Sequence, residues 1–135
     1  MKVPSAPQEK VALSESVIKF IWEHIHSVKQ LEVLLLLHSS ADQEWTAEGV
    51  NLLLRSSISS VIERLDDLTS RNLLIMRMDD TQEFYRFSDD VMLIESVSEL
   101  KESYKVFTVR MIETIYARPS ISLQDFSNSF RIKKK

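Results

Sequence analysis

Residues 57–72 read SISSVIERLDDLTSRN. Ser57 can cap the start of a helix, and Asn72 stands where a left-handed residue ends one. Between them, apolar residues recur at three- and four-residue spacing, which is the period of a helix with one buried face. The stretch therefore predicts an amphipathic helix from Ser57 to about Arg71, whose buried face is formed by Ile58, Val61, Ile62, Leu65 and Leu68.

The residues upstream predict two more helices in the same core. Ser27 opens a Ser-x-x-Gln capping box, and only a buried helix satisfies the almost wholly apolar run at 31–37. Thr46 then caps a shorter helix that reaches about Leu54, with Trp45 available for a very short strand. The centre of the chain is therefore predicted to be a helix-turn-helix.

The flanking segments predict a hairpin and two outer helices. Residues 73–78 and 83–88 are apolar-rich runs too short for helices, and a polar turn joins them as in a β-hairpin. The helical period returns past Asp89. The whole chain is then mainly α with a small β-hairpin wing, and its segments are an arm (1–13), an N-terminal helix (14–26), a winged helix-turn-helix (27–88), a long helix (89–117), and a short helix with a basic tail (118–135).

This order of elements and the residues at 57–74 resemble bacterial transcription regulators of the MarR-like and PadR-like kind. In those families the recognition helix begins with small hydroxyl residues and ends in Leu-x-x-x-Gly-Leu, and here Asn72 stands in the place of that glycine. The apolar run at 31–37 is similar to the buried first helix of the same domains. The resemblance covers about residues 27–88 and implies a DNA-binding regulator that acts as a homodimer.

The composition narrows the class of protein. A chain of 135 residues with 44% hydrophobic residues can build one packed domain, and the absence of Cys favours the cytoplasm. We expect no secretion signal and no membrane span. We also expect no enzyme activity and no cofactor or metal, because the one glycine, Gly49, makes no phosphate loop and His24 and His26 point to different sides of a helix.

The helix at 57–71 and its neighbours provide the candidate contacts to double-stranded DNA. Serine hydroxyls at a helix start can donate to phosphate oxygens, although capping explains serines there equally well. Arginines can bind guanine or phosphate, although any one of them alone is more often a solvated surface charge. The candidates are Arg55, Ser57, Ser59, Ser60, Arg64, Arg77 and Arg86.

The leading hypothesis from the sequence is a homodimeric DNA-binding transcriptional regulator, and the charge balance supports an alternative to it. The chain has a net charge of −3, and residues 46–88 hold five Arg against seven Asp and Glu, whereas a duplex binder gains much of its affinity by neutralising phosphates. The alternative hypothesis is therefore a winged-helix adaptor that binds protein and no DNA. The tail at 118–135 is basic, and its lysines are either solvated or able to touch nucleic acid, an acidic protein or an anionic membrane surface.

A seven-residue apolar repeat runs along the long helix predicted at 89–117. Such a seam packs either on a second copy of the chain or on the chain's own domain, and we favour the homodimer. The predicted interface residues are Leu93, Val97, Leu100, Tyr104, Phe107 and Met111.

Overall fold

The computed structural model describes residues 12–117. The predicted tail at 118–135 and almost all of the predicted arm at 1–13 lie outside them. The described part contains six helices and a two-stranded antiparallel sheet, which are α1 (Glu15–His24), α2 (Val28–Ser39), α3 (Ala47–Leu54), α4 (Ile58–Ser70), β1 (Leu74–Asp79), β2 (Gln82–Phe87), α5 (Val91–Val106) and α6 (Thr108–Tyr116).

The central helix of the core is α2. Leu31, Leu34 and Leu37 on this helix are fully buried, as the apolar run predicted. Because α2 packs against α3, α4, β2 and α5, it joins the helix-turn-helix to both the hairpin and the outer helices. Helices α1 and α6 pack on each other and complete the outer layer with α5.

Hydroxyl side chains fix where the first four helices begin. In each case the side-chain oxygen accepts the backbone N–H of the residue three positions later, which satisfies one of the unpaired donors of the first turn. The capping residues are Ser14, Ser27, Thr46 and Ser57. These caps confirm the predicted helix starts. Asn72 has a φ of 66°, which confirms the left-handed residue predicted after α4.

The hairpin closes through a two-residue turn at Asp80 and Thr81. Its inner face carries Leu74, Tyr85 and Phe87, which are buried against the helices. Where the sequence predicted a very short strand, Trp45 forms a one-residue bridge to β2, because its backbone exchanges two hydrogen bonds with Tyr85, at 2.7 and 2.8 Å. The backbone of the wing is therefore tied to the loop before α3 near its base.

The segment at 89–117 forms two helices where the sequence predicted one. The break lies at Phe107, between α5 and α6. The Thr108 Oγ1 donates to the Tyr104 carbonyl at 2.6 Å, a back-bond that bends helices, and residues 106–109 (VFTV) have low helix propensity. The apolar repeat in the sequence does not predict this break, because the buried residues of the two short helices continue the same three- and four-residue spacing.

This arrangement is a winged helix-turn-helix fold, mainly α with a β-hairpin wing, as predicted. The turn between α3 and α4 is set by Arg55, whose φ of 55° and ψ of 49° place it in the left-handed region. Among the described residues, no helix is long and apolar enough to cross a bilayer.

Candidate nucleic-acid and protein interface

The start of α4 is exposed, as a recognition helix requires. Ser57 caps the helix by accepting the Ser60 N–H at 3.2 Å, and Ser59 is exposed beside it. Ser60 is half-buried, and its carbonyl accepts the Arg64 Nη1 at 3.1 Å. The Ser57 hydroxyl therefore has the capping role, which was one of its two predicted alternatives. It also lies 3.5 Å from the Ser59 hydroxyl, within hydrogen-bond distance, and both side chains are exposed.

The outward face of α4 is acidic. Val61, Leu65 and Leu68 are buried, so the opposite side of the helix, by the 3.6-residue period, carries Ser59, Glu63, Asp66 and Ser70, all of them exposed. Arg64 lies on the flank and is half-buried. A groove-reading surface on this face would therefore present two carboxylates and no cation.

Arg77 on the wing is held by carboxylates. Its Nε and Nη2 donate to the two oxygens of Glu44 at 2.8 and 2.7 Å, and Asp79 lies 3.8 Å away. Its guanidinium also lies 4.9 Å from the centre of the Phe84 ring. The hydrogen bonds from Arg77 hold the pKa of Glu44 below its ordinary value, and the Arg77 pKa is raised in return.

Arg86 is held in the same way. Its two terminal nitrogens donate to the two oxygens of Asp89 at 2.8 and 3.1 Å, and this pairing lowers the pKa of Asp89. Arg55, by contrast, is exposed at the turn before α4. Of the four predicted arginines, the two on the wing are thus neutralised by bidentate pairs, and the structure leaves Arg55 and the flanking Arg64 outside such pairs among the described residues.

Tyr85 joins the wing to α4 through two carboxylates. Its hydroxyl lies 2.8 Å from both Asp66 Oδ1 and Glu83 Oε1. Burial raises the pKa of Tyr85 far above its ordinary value, and the two carboxylates raise it further, so the hydroxyl stays protonated and donates. Asp66 and Glu83 therefore share one donor on the surface between α4 and the wing.

Exposed apolar side chains flank this shared donor. Ile58, Ile62 and Asp66 follow one another at four-residue spacing along one edge of α4, and Met76 and Met78 lie on the same hairpin face as Tyr85. The four apolar side chains are 38–54% exposed. We call this surface the α4–wing face, and it consists of Ile58, Ile62, Glu63, Asp66, Met76, Met78 and Glu83.

A groove of about 410 Å³ lies on the other flank of α4, against the junction of α1 and α2. Asp67 is fixed there by the Gln30 amide and by Arg71 Nε, and Arg71 also donates to the Glu23 carbonyl at 2.9 Å. Glu63 accepts no hydrogen bond from the described residues. The groove is lined by His26, Ser27, Gln30, Glu63, Arg64 and Asp67.

The predicted dimer seam is used within the chain. Val97, Leu100 and Met111 are fully buried in the chain's own core, and Leu93, Tyr104 and Phe107 pack against that core with part of each exposed. A different stripe on α6 is open to solvent. It consists of Val109, Ile112 and Tyr116 at three- and four-residue spacing, with Ile112 half-buried.

The folded part is more acidic than the whole chain. Residues 12–117 hold ten Lys and Arg against eighteen Asp and Glu, a net charge of −8, whereas the whole chain has −3. Sequence reasoning counted the acids but could not show that Glu44 and Asp89 are the residues that hold the wing arginines. Asp89 stands three residues from Arg86 and offered a short-range clue, whereas Glu44 and Arg77 are 33 residues apart.

No family model matches the chain, and no curated protein matches it in sequence. Among solved structures, reduced MarR from E. coli is similar with 11% identity and a TM-score of 0.49, over 93% of this chain and 82% of MarR. A MarR mutant complexed with operator DNA has 9% identity and a TM-score of 0.47, over 91% of this chain and 84% of that one.

A ZitR mutant from Lactococcus lactis is similar with 18% identity and a TM-score of 0.46, over 78% of this chain. The chain spans 62% of the length of ZitR. The function proposed below rests on the surface of the chain itself.

Proposed function

We propose that this chain is a winged-helix adaptor that binds a protein partner through the α4–wing face. The observation that carries the proposal is the outward side of α4, which presents Glu63 and Asp66 where a groove-reading helix needs cations. The pairing of Arg77 and Arg86 with carboxylates supports it, because the wing then offers no unengaged arginine to the DNA backbone.

The chemistry of the face indicates what the partner presents. Ile58, Ile62, Met76 and Met78 offer apolar area for burial, and methionines adapt to the shape of a partner. The carboxylates around them favour Lys or Arg on the opposing surface and repel phosphate. A partner segment with apolar anchors and flanking basic side chains fits both properties, as in helix-in-groove recognition.

Double-stranded DNA is the second candidate, and the exposed start of α4 favours it. Ser57, Ser59 and Arg55 together offer hydroxyl, backbone N–H and guanidinium donors at a helix N-terminus. In this alternative the chain is a DNA-binding transcriptional regulator. Its recognition helix would still bring Glu63 and Asp66 against the duplex, and the wing tip would bring Asp79 and Asp80.

One pair of measurements separates the two candidates. A photo-crosslinking amino acid in place of Ile62 should join the chain to a discrete protein in extracts of the native cell. Glu63→Lys should abolish that product, and Glu95→Lys, an equally exposed change on α5, should leave it unchanged. Fluorescence anisotropy with duplexes from the neighbouring upstream regions should stay flat even at about 50 mM salt. Specific, salt-dependent binding to a duplex would instead establish the regulator.

We further propose that the chain self-associates through α6. The exposed stripe of Val109, Ile112 and Tyr116 supports this proposal, and Val106 extends it at the end of α5. A two-fold pairing of such stripes would bury apolar area that the monomer leaves in water. The buried residues of the predicted seam would then stabilise the core of each copy, on which the α6 interface is built.

A further inference from the structure

We propose that residues 118–135 bind the α4–wing face of their own chain and compete there with the protein partner. This inference rests on the face assigned in the proposed function and names its occupant when the partner is absent. Four observations carry it, namely the charge of the two surfaces, the apolar pattern of the segment, the place where the described chain ends, and the reach of the segment.

Charge complementarity is the first observation. Residues 118–135 contain five Lys and Arg and one Asp, a net charge of +4, and they follow a folded part with −8. On the α4–wing face the carboxylates of Asp66 and Glu83 share the Tyr85 hydroxyl, and Glu63 is exposed on the outward side of α4. A basic segment supplies the cations that this surface lacks.

The apolar pattern of the segment matches the apolar part of the face. Leu123, Phe126 and Phe130 recur at spacings of three and four residues, and basic residues follow directly after them in RIKKK at 131–135. The face likewise places exposed Ile62 and Met76 beside its carboxylates. The segment therefore offers aromatic and aliphatic side chains for the apolar part of the face and basic side chains for its carboxylates.

The described chain ends next to α4. The Tyr116 hydroxyl accepts the Val28 N–H at 3.2 Å, which places the end of α6 at the junction of α1 and α2. Ser27 at that junction lines the groove that Glu63 and Asp67 form on the flank of α4. A segment that leaves after Ala117 therefore begins beside the acidic flank of α4.

The segment is long enough to cross α4. The six residues from Arg118 to Leu123 span up to about 20 Å when extended. A helix with its side chains is roughly 10–12 Å wide. Leu123 and the residues after it can therefore reach Ile62 and the wing on the far flank within the same chain.

Paramagnetic NMR on the full chain tests this arrangement. The chain has no cysteine, so Ser127→Cys gives a single site for a nitroxide label. At low salt we expect the label to reduce the methyl signals of Ile62, Met76 and Met78 by more than half, and to spare Val109 and Met92. Salt at about 1 M should restore the signals, because it shortens the screening length to about 3 Å.

A charge reversal on the face provides the matched control. Glu63→Lys, at a side chain without a hydrogen bond to the described residues, should restore the Ile62 and Met76 signals, and so should the tail variant K133E/K134E/K135E. Glu95→Lys should leave them reduced. Dispersed amide spectra for each variant establish that it is folded.

Four results would overturn the proposal. Two concern the full chain at low salt, namely that the label does not reduce the Ile62, Met76 and Met78 signals, or that it reduces the Val109 and Met92 signals equally. The others are that the reduction persists in Glu63→Lys, or that it arises only when the labelled tail and the observed face belong to different chains. The measurement needs no partner. If the NMR signals show no binding of residues 118–135, the partner-binding proposal still stands. If the K133E/K134E/K135E variant gives no crosslinked protein at Ile62, the protein partner is rejected, but binding of residues 118–135 to the face is not.

Discussion

At the scale of single residues, Tyr85 shows how α4 and the wing are held together. Its ring is buried, while its hydroxyl lies 2.8 Å from one carboxylate on α4 and one on β2. Replacing Tyr85 by Phe keeps the ring and removes the only donor that these two carboxylates share within the described part.

Tyr85→Phe should lower the free energy of unfolding by about 1–2 kcal/mol, because a hydrogen bond to a charged acceptor is lost. Urea denaturation measures the change. Tyr104→Phe is the matched control, since the Tyr104 hydroxyl has no hydrogen bond to any residue between 12 and 117, and its removal should have a much smaller effect. Equal losses in the two variants would mean that the Tyr85 hydroxyl does not stabilise the junction.

The pair between Glu44 and Arg77 makes stability depend on pH in a defined direction. Arg77 lowers the pKa of Glu44 in the folded chain, so the pair stabilises the fold above the ordinary value of 4.5 and this contribution is lost as the pH falls through the lowered pKa. Glu44→Gln should therefore lower the melting temperature near pH 7 and have a smaller effect at about pH 2. Glu95→Gln should change it at neither pH, and a Glu44→Gln effect of the same size at both would argue against the pair.

At the scale of elements, the helix starts could be predicted from the sequence because a cap depends only on residues three positions apart. Ser27, Thr46 and Ser57 are such cases, and so is Asn72 at the end of α4. The break at Phe107 could not be predicted from the apolar spacing. The Thr108 side-chain hydrogen bond changes the free energy of a broken helix relative to a continuous one only slightly, and the spacing of apolar residues is the same in both.

The candidate site was less predictable than the fold. The sequence identified α4 and its serines, but the partners of the wing arginines depend on tertiary contacts. Arg77 is a surface cation in the sequence and a neutralised one in the structure, because the loop before α3 brings Glu44 against the wing. The exposure of the α6 stripe could not be predicted either, because buried and exposed rows of apolar side chains have the same spacing in the sequence.

Ser57 and Ser59 provide a test of capping at the start of α4. Ser57→Ala should lower the free energy of unfolding by about 1 kcal/mol, because the Ser60 N–H loses its acceptor. Ser59→Ala should change it by less than about 0.5 kcal/mol, as expected for an exposed residue outside the cap. Chemical denaturation measures both, and a larger effect at Ser59 would contradict the assignment of the cap.

At the scale of the whole molecule, the surfaces proposed for assembly and for recognition lie on different elements. The α4–wing face lies on the helix-turn-helix, whereas the α6 stripe lies on the outer helices. A dimer joined through α6 would leave both α4–wing faces open, so two copies of one partner or one repeated partner could bind at the same time.

Val109→Glu tests the proposed dimer. A charge in the middle of the apolar stripe should raise the dissociation constant of the dimer at least about tenfold. Analytical ultracentrifugation measures this constant. Leu52→Glu places the same charge at another exposed apolar side chain, on α3, and should leave assembly unchanged. A chain that is monomeric at every concentration, or a dimer that tolerates Val109→Glu, would reject the interface.

Trp45 and Glu44 hold the base of the wing to the loop before α3, through the Tyr85 backbone and the Arg77 side chain. Beyond these contacts residues 78–83 form only a two-stranded extension, which is marginally stable on its own in water. Amide hydrogen exchange should therefore accelerate stepwise from Leu74 and Tyr85 towards Asp80. A wing tip that lacks such contacts among the described residues can change the distance between Met78 and α4 while the base of the wing keeps the core closed.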